Sequence, residues 1–198
     1  MSTGAKIAIG CAIAAVVIGI VAMVAIGGAA WWLKGKAEQV VGDIGAKAEE
    51  IEGYEKKANA NAFTEPADGV VPEARLLKFL EVRKAIYAVY EAHRTDFEGM
   101  KDKKQADFSD LTKFAGLIGE IKLAQAKALA GIGMSEEEYS FLQGAIYKSA
   151  WAAATAKETG KQPAEVLADV PAANLDLFHK HQAEIQKYAM SGLGLLGF

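Results

Sequence analysis

GMSEEEY, residues 133–139, decides how the chain is read. A serine followed three residues later by a glutamate is a capping box: the Ser135 hydroxyl can accept from the Glu138 amide, and the Glu138 carboxylate can reach back. Met134 and Tyr139 flank it at the spacing of a hydrophobic staple. Three glutamates in the first turn suit the positive end of a helix dipole. A carboxylate cluster also invites a metal, but capping accounts for all three acids without one. The stretch therefore starts a helix at Ser135. The next apolar residues, Leu142, Ile146 and Trp151, keep helical spacing to about Glu158.

Outward from this start the same period recurs. RLLKFLEVRKAIYAVYEAH, residues 75–93, places Leu76, Phe79, Leu80, Ile86, Tyr87 and Tyr90 on one side of a helix. Pro72 suits its first turn, and Phe97 extends the pattern to about Glu98. KDKKQAD, residues 101–107, is a solvated connection. A third helix from Ser109 carries Leu111, Phe114, Leu117, Ile118, Ile121 and Leu129, and Gly131 and Gly133 close it. Residues 163–170 form a short helix or turn. A last helix from about Ala172 to Met190 carries Leu175, Phe178, Ile185 and Tyr188. No run alternates with period two for long, so no sheet is expected. Residues 72–190 form an all-α, antiparallel bundle of about four main helices. Tyr87, Tyr90, Phe141, Tyr147 and Trp151 are expected in its core.

The N-terminal third differs in kind. Ile7 to Leu33 is 27 residues without a charge, about 40 Å of helix against a hydrocarbon core of about 30 Å. It is too long for the apolar region of a signal peptide, so residues 1–34 are a retained transmembrane anchor. Trp31 and Trp32 suit the headgroup level, with Lys34 and Lys36 beyond them in water. Ala8, Ala12, Ala15, Gly19 and Ala22 fall along one face, where small residues let another membrane helix approach closely. The short N-terminal head favours a periplasmic domain over a cytoplasmic one, in a bacterial inner membrane. Residues 35–57 continue as a helical stalk with a stripe through Val40, Ile44, Ala48, Ile51 and Tyr54, turned to a partner or to the domain. Residues 58–71, rich in Pro, Gly, Asn and Asp, form a linker. The tail 191–198, SGLGLLGF, ends in apolar Leu195, Leu196 and Phe198, which suit docking on a partner.

Composition narrows the function. Apolar residues make up 52% of the 198 and charged residues 24%. From Lys34 onward 21 Lys and Arg face 25 Asp and Glu, a net of −4, which argues against a nucleic-acid partner. Cys11, inside the anchor, is the only cysteine, so there is no intrachain disulfide and no Cys–His nucleophile outside the membrane. His179 and His181 point to different helix faces, and no Glu-x-x-His pair for a di-iron bundle occurs. His93 suits a capping or surface role. No phosphate loop, nucleophile elbow or haem-attachment motif is present. No catalytic residue, cofactor or metal is expected, and the chain is not expected to be an enzyme.

LEVRKAIYAVYE with the later GMSEEEY resembles a pattern in uncharacterised bacterial membrane-anchored helical proteins. The resemblance implies a helical envelope protein and transfers no active-site residue. A thin anchor with an appended bundle suits a non-enzymatic accessory subunit of a large membrane complex, of photosynthetic reaction-centre and antenna or respiratory type. Its partners would be other membrane-protein subunits and the bilayer. The alternative is a free-standing tethered binding module, an adaptor or chaperone in the envelope.

Overall fold

The computed structural model describes residues 37–101, 108–160 and 162–189. The anchor, the connection at 102–107 and the tail 191–198 lie outside the described residues. So do Ala8, Ala12, Ala15, Gly19, Ala22, Trp31, Trp32, Lys34, Lys36, Leu195, Leu196 and Phe198. Among the described residues all regular structure is helical, and no helix is long and apolar enough to cross a membrane.

The helices are α1 (Ala37–Asn59), α2 (Glu73–Ala92), α3 (Arg94–Lys101), α4 (Phe108–Ile132), α5 (Glu136–Thr159), α6 (Pro163–Val166) and α7 (Ala172–Lys187). Helix α2 is the axis of the bundle and touches α4, α5 and α7. Its buried residues are Leu76, Phe79, Leu80, Val82, Arg83, Ile86 and Tyr90. They span roughly 160° of the helix circumference, wider than the stripe of a helix packed on one side only.

Helix α1 lies along α4. Lys47 reaches Glu120 and Glu50 reaches Lys127, so the two helices run parallel. Helix α2 runs antiparallel to α4: Lys78 lies by the Ile132 carbonyl and His93 by Glu120. The segment expected as a stalk is thus turned to the domain from Lys47 onward. Ala58 is fully buried and Tyr54 packs on the core. The bundle therefore has five long helices among the described residues, against about four expected. The added one is parallel to α4 because α2 returns between them.

The helix starting at residue 72 is broken. The His93 amide donates to the Val89 and Tyr90 carbonyls and closes α2, and α3 starts at Arg94. Periodicity carried through this break because Phe97 falls in phase with Tyr90.

The turn between α4 and α5 is built as GMSEEEY requires. Gly133 takes φ +65°, a left-handed conformation that glycine adopts without strain. The Met134 amide then donates to the Leu129 carbonyl at 3.1 Å, closing a Schellman motif with both side chains buried. The Ser135 hydroxyl accepts from the Glu138 amide at 3.2 Å. The second leg of the box goes elsewhere: the Glu138 carboxylate forms a two-pronged ion pair with Arg75 on α2. A residue chosen to cap α5 also fastens α5 to the axis helix.

Candidate functional site

Arg83, on the axis helix, is 1% exposed. It donates to the Tyr139 hydroxyl at 3.1 Å and to the Tyr188 carbonyl at 2.7 Å, with its guanidinium 6.0 Å from the centre of the Tyr147 ring. Among the described residues no carboxylate pairs with it. The partner carbonyl belongs to the residue that ends α7, where the helix dipole is negative, so the cation is compensated there. Burial raises the Tyr139 phenol above its ordinary value, and Arg83 works against that shift. The cluster joins α2, α5 and α7 and presents no open face to a substrate.

His93 sits at the α2–α3 break. Its Nε2 meets Glu120 at 3.0 Å, its Nδ1 lies 3.6 Å from Asp96, and Lys47 holds the other Glu120 oxygen at 3.1 Å. Burial opposes ionisation of Glu120, but Lys47 and then His93 outweigh it and hold the carboxyl below its usual range. The expected capping role of His93 holds through its amide, and its ring ties the break to α4. Among the described residues its side chain pairs with acids, and no nucleophile completes a catalytic set.

His181 meets Glu73 at 2.9 Å, and Lys180 meets the same carboxylate at 2.7 Å. Lys180 first and then His181 lower the Glu73 carboxyl. This joins α7 to the first turn of α2. His179 is exposed beside the Phe178 ring, so the two histidines do face apart. Among the described residues no group of His, Cys, Asp and Glu could hold a metal ion.

A cleft of about 540 Å³ opens where α1 ends and α5 begins, lined by Asn59, Asn61, Ala62, Phe63, Ser135, Glu136 and Glu137. Asn59 clamps Glu136, accepting from its amide at 2.9 Å and donating to its carboxylate at 2.7 Å. Asn61 donates to the Ala58 carbonyl at 2.8 Å. These polar atoms are spent on helix ends. Burial and then the Glu136 carboxylate raise the nearby Glu55 carboxyl. The cleft is open and acidic at its α5 rim.

The feature that stands apart is Trp151. It was expected in the core and is 56% exposed. The inner face of α5 is built by Tyr139, Leu142, Ile146, Ser149, Ala152 and Ala156. Trp151 instead lies on the outer stripe with Ser140, Gly144, Lys148 and Ala154, all exposed. The signal was in the sequence: polar and small residues three, four and seven positions away share its face, whereas Leu142 and Ile146 do not. Tyr90 is buried, and Tyr87 and Phe141 pack on the core as expected.

No family model matches the chain, no curated protein matches it, and no solved structure does.

Proposed function

We propose that the chain is a non-enzymatic, membrane-anchored accessory subunit whose helical domain presents an interaction surface. Residues 1–34 would hold it in the bilayer, with Ala15, Gly19 and Ala22 against a neighbouring membrane helix. The bundle would meet an extramembrane partner in a complex of photosynthetic or respiratory type. The observation that carries the reading is Trp151, more than half exposed at the middle of the outer face of α5. Large aromatic side chains dominate the energy of protein interfaces, and an exposed one on a stripe of polar and small residues is a natural anchor. The charged clusters support the same reading, because each closes a helix end or joins two helices.

The test is purification of the full chain in mild detergent, with mass spectrometry of what comes with it. A stoichiometric membrane complex, lost on Trp151→Ala at equal membrane abundance, is the expected result. A chain recovered alone would overturn the reading in favour of a free-standing module.

A further inference from the structure

His93 has a carboxylate at each of its ring nitrogens. Nε2 lies 3.0 Å from Glu120 on α4, and Nδ1 lies 3.6 Å from Asp96 in the first turn of α3. A neutral imidazole carries one N–H and one lone pair. With its hydrogen on Nε2 it donates to Glu120 and turns the lone pair on Asp96; with the hydrogen on Nδ1 the lone pair meets Glu120. Only the imidazolium attracts both carboxylates. The surrounding charges agree. Lys47 reaches Glu120 from α1 at 3.1 Å, while Glu91 and Arg94, on either side of the break, pair with each other at 3.4 Å. A charged His93 joins Lys47 in balancing Glu120 and Asp96; a neutral one leaves Lys47 alone against both acids. His181 differs. Among the described residues its ring meets a single carboxylate, Glu73, which Lys180 already neutralises, and a neutral ring satisfies that arrangement.

The doubly faced histidine sits at a hinge. Its amide closes α2 on the Val89 and Tyr90 carbonyls, and its own carbonyl accepts from the Asp96 amide at 3.0 Å as α3 starts. The backbone there, at φ −114° and ψ 16°, has left the helical region, so α2 does not set the direction of α3 by simple continuation. The side chain is 34% exposed, open to protons from solvent. We propose that His93 is a proton-operated latch: charged, it holds α3 to the end of α2 and to α4 through Asp96 and Glu120; neutral, it keeps Glu120, releases Asp96 and frees α3 to turn at the break. Histidine is the side chain that ordinarily changes charge between about pH 5 and 8, where both carboxylates remain ionised. The latch is closed in mild acid and opens as the imidazole loses its proton. It needs neither Trp151 nor a partner, so it goes beyond the proposed function and can fail without it.

Hydrogen exchange of the full chain in mild detergent, read by mass spectrometry as protection over the intrinsic rate at each pH, tests the latch. Protection of the α3 amides should fall about threefold from about pH 5.5 to 8, the size an exposed ion pair can supply, while protection in the second half of α4 stays level. His93→Gln, neutral throughout, should show the open level at every pH. Asp96→Asn should do the same with the imidazole intact, and it carries the test if His93→Gln does not fold. His181→Gln should leave the response of the parent unchanged. Constant α3 protection in the parent overturns the latch. So does a pH response that survives His93→Gln or Asp96→Asn, or one that vanishes in His181→Gln.

Discussion

The two flanks of the axis helix are held by different physics. On the α5–α7 side the joints at Arg83 and Asn174 centre on buried side chains, while those of Arg75 with Glu138 and of Glu73 with Lys180 and His181 are part-exposed. Arg83 spans Tyr139 and Tyr188, Arg75 grips Glu138, and Asn174, 1% exposed, accepts from the Val71 amide and donates to the Gly69 carbonyl. On the α1–α4 side the described polar joints are part-exposed: Lys47 with Glu120, Lys127 with Glu50, His93 with Glu120. The apolar contacts of both flanks are one cluster, from Ala58 to Tyr188. The difference therefore lies in the polar groups. A buried hydrogen-bonded group is costly to orphan, about 1–3 kcal/mol or more if charged, whereas an exposed ion pair contributes about 0–1 kcal/mol. One flank is specified by pins that fit only one arrangement; the other is held mainly by apolar area and tolerates change.

The largest expected effect is at Arg83. Arg83→Ala empties a buried site, leaves the Tyr188 carbonyl without its donor and takes from the Tyr139 hydroxyl one of its two partners, Gln125 being the other. A loss on the order of 3–5 kcal/mol follows, measured by urea unfolding followed by circular dichroism. Arg83→Met restores volume and removes a charge from the interior, so it should lose less than Arg83→Ala. A Met variant as stable as the parent would mean that the guanidinium's bonds contribute nothing beyond their desolvation cost, and the contrast between the flanks would fail.

Ser135→Ala should cost about 1 kcal/mol, the usual loss for an N-cap. The structure sharpens this test. Glu138 is turned to Arg75, so the serine is the only half of the box that closes on itself. Glu138→Gln should therefore weaken the α2–α5 joint rather than the start of α5, and the two losses should add. Strong non-additivity would show that the box closes both ways in solution.

Much of this fold was legible because helix periodicity and helix ends are local. Ser135, Gly133, Pro72 and the apolar stripes of α2, α4, α5 and α7 each depend on residues within a turn or two. What was not legible is long-range. Nothing near Arg83 in the chain distinguishes it from Arg75, yet one is 1% exposed and the other part-exposed; the difference is set by α7, 105 residues away. The turn of α1 onto α4 is long-range in the same way, since Lys47 and Glu120 are 73 residues apart. Trp151 was missed for another reason. Hydrophobicity alone puts a tryptophan inside, whereas the helix phase set by Gly144 and Lys148 puts this one outside.

The smallest effects, and the most diagnostic of the part-exposed flank, are two glutamates of opposite sign. Glu120 has its carboxyl lowered by Lys47 and His93 against burial. A lowered carboxyl stabilises the fold at pH values above the ordinary 4.5 and loses that contribution as pH falls through its folded value. Glu55 has its carboxyl raised by burial and by Glu136. Here the native state holds the proton more tightly, so stability falls as pH rises from 4.5 through the folded value, and the penalty is complete above it. At pH 7, Glu120→Gln should therefore destabilise and Glu55→Gln should stabilise, each by no more than about 0.5 kcal/mol for groups this exposed. Both variants should converge on the parent in acid, where all the carboxyls concerned are neutral. Added salt should shrink the Glu120 difference at pH 7, because exposed ion pairs are screened, while the part of the Glu55 difference that comes from burial should remain. Urea unfolding of the three proteins at pH 7 and in acid, with and without salt, reads all of this. Two variants moving in the same direction at pH 7 would break the assignment of opposite roles. A difference of several kcal/mol at either site would show that this flank, too, is pinned by buried charge, and the contrast with Arg83 would disappear.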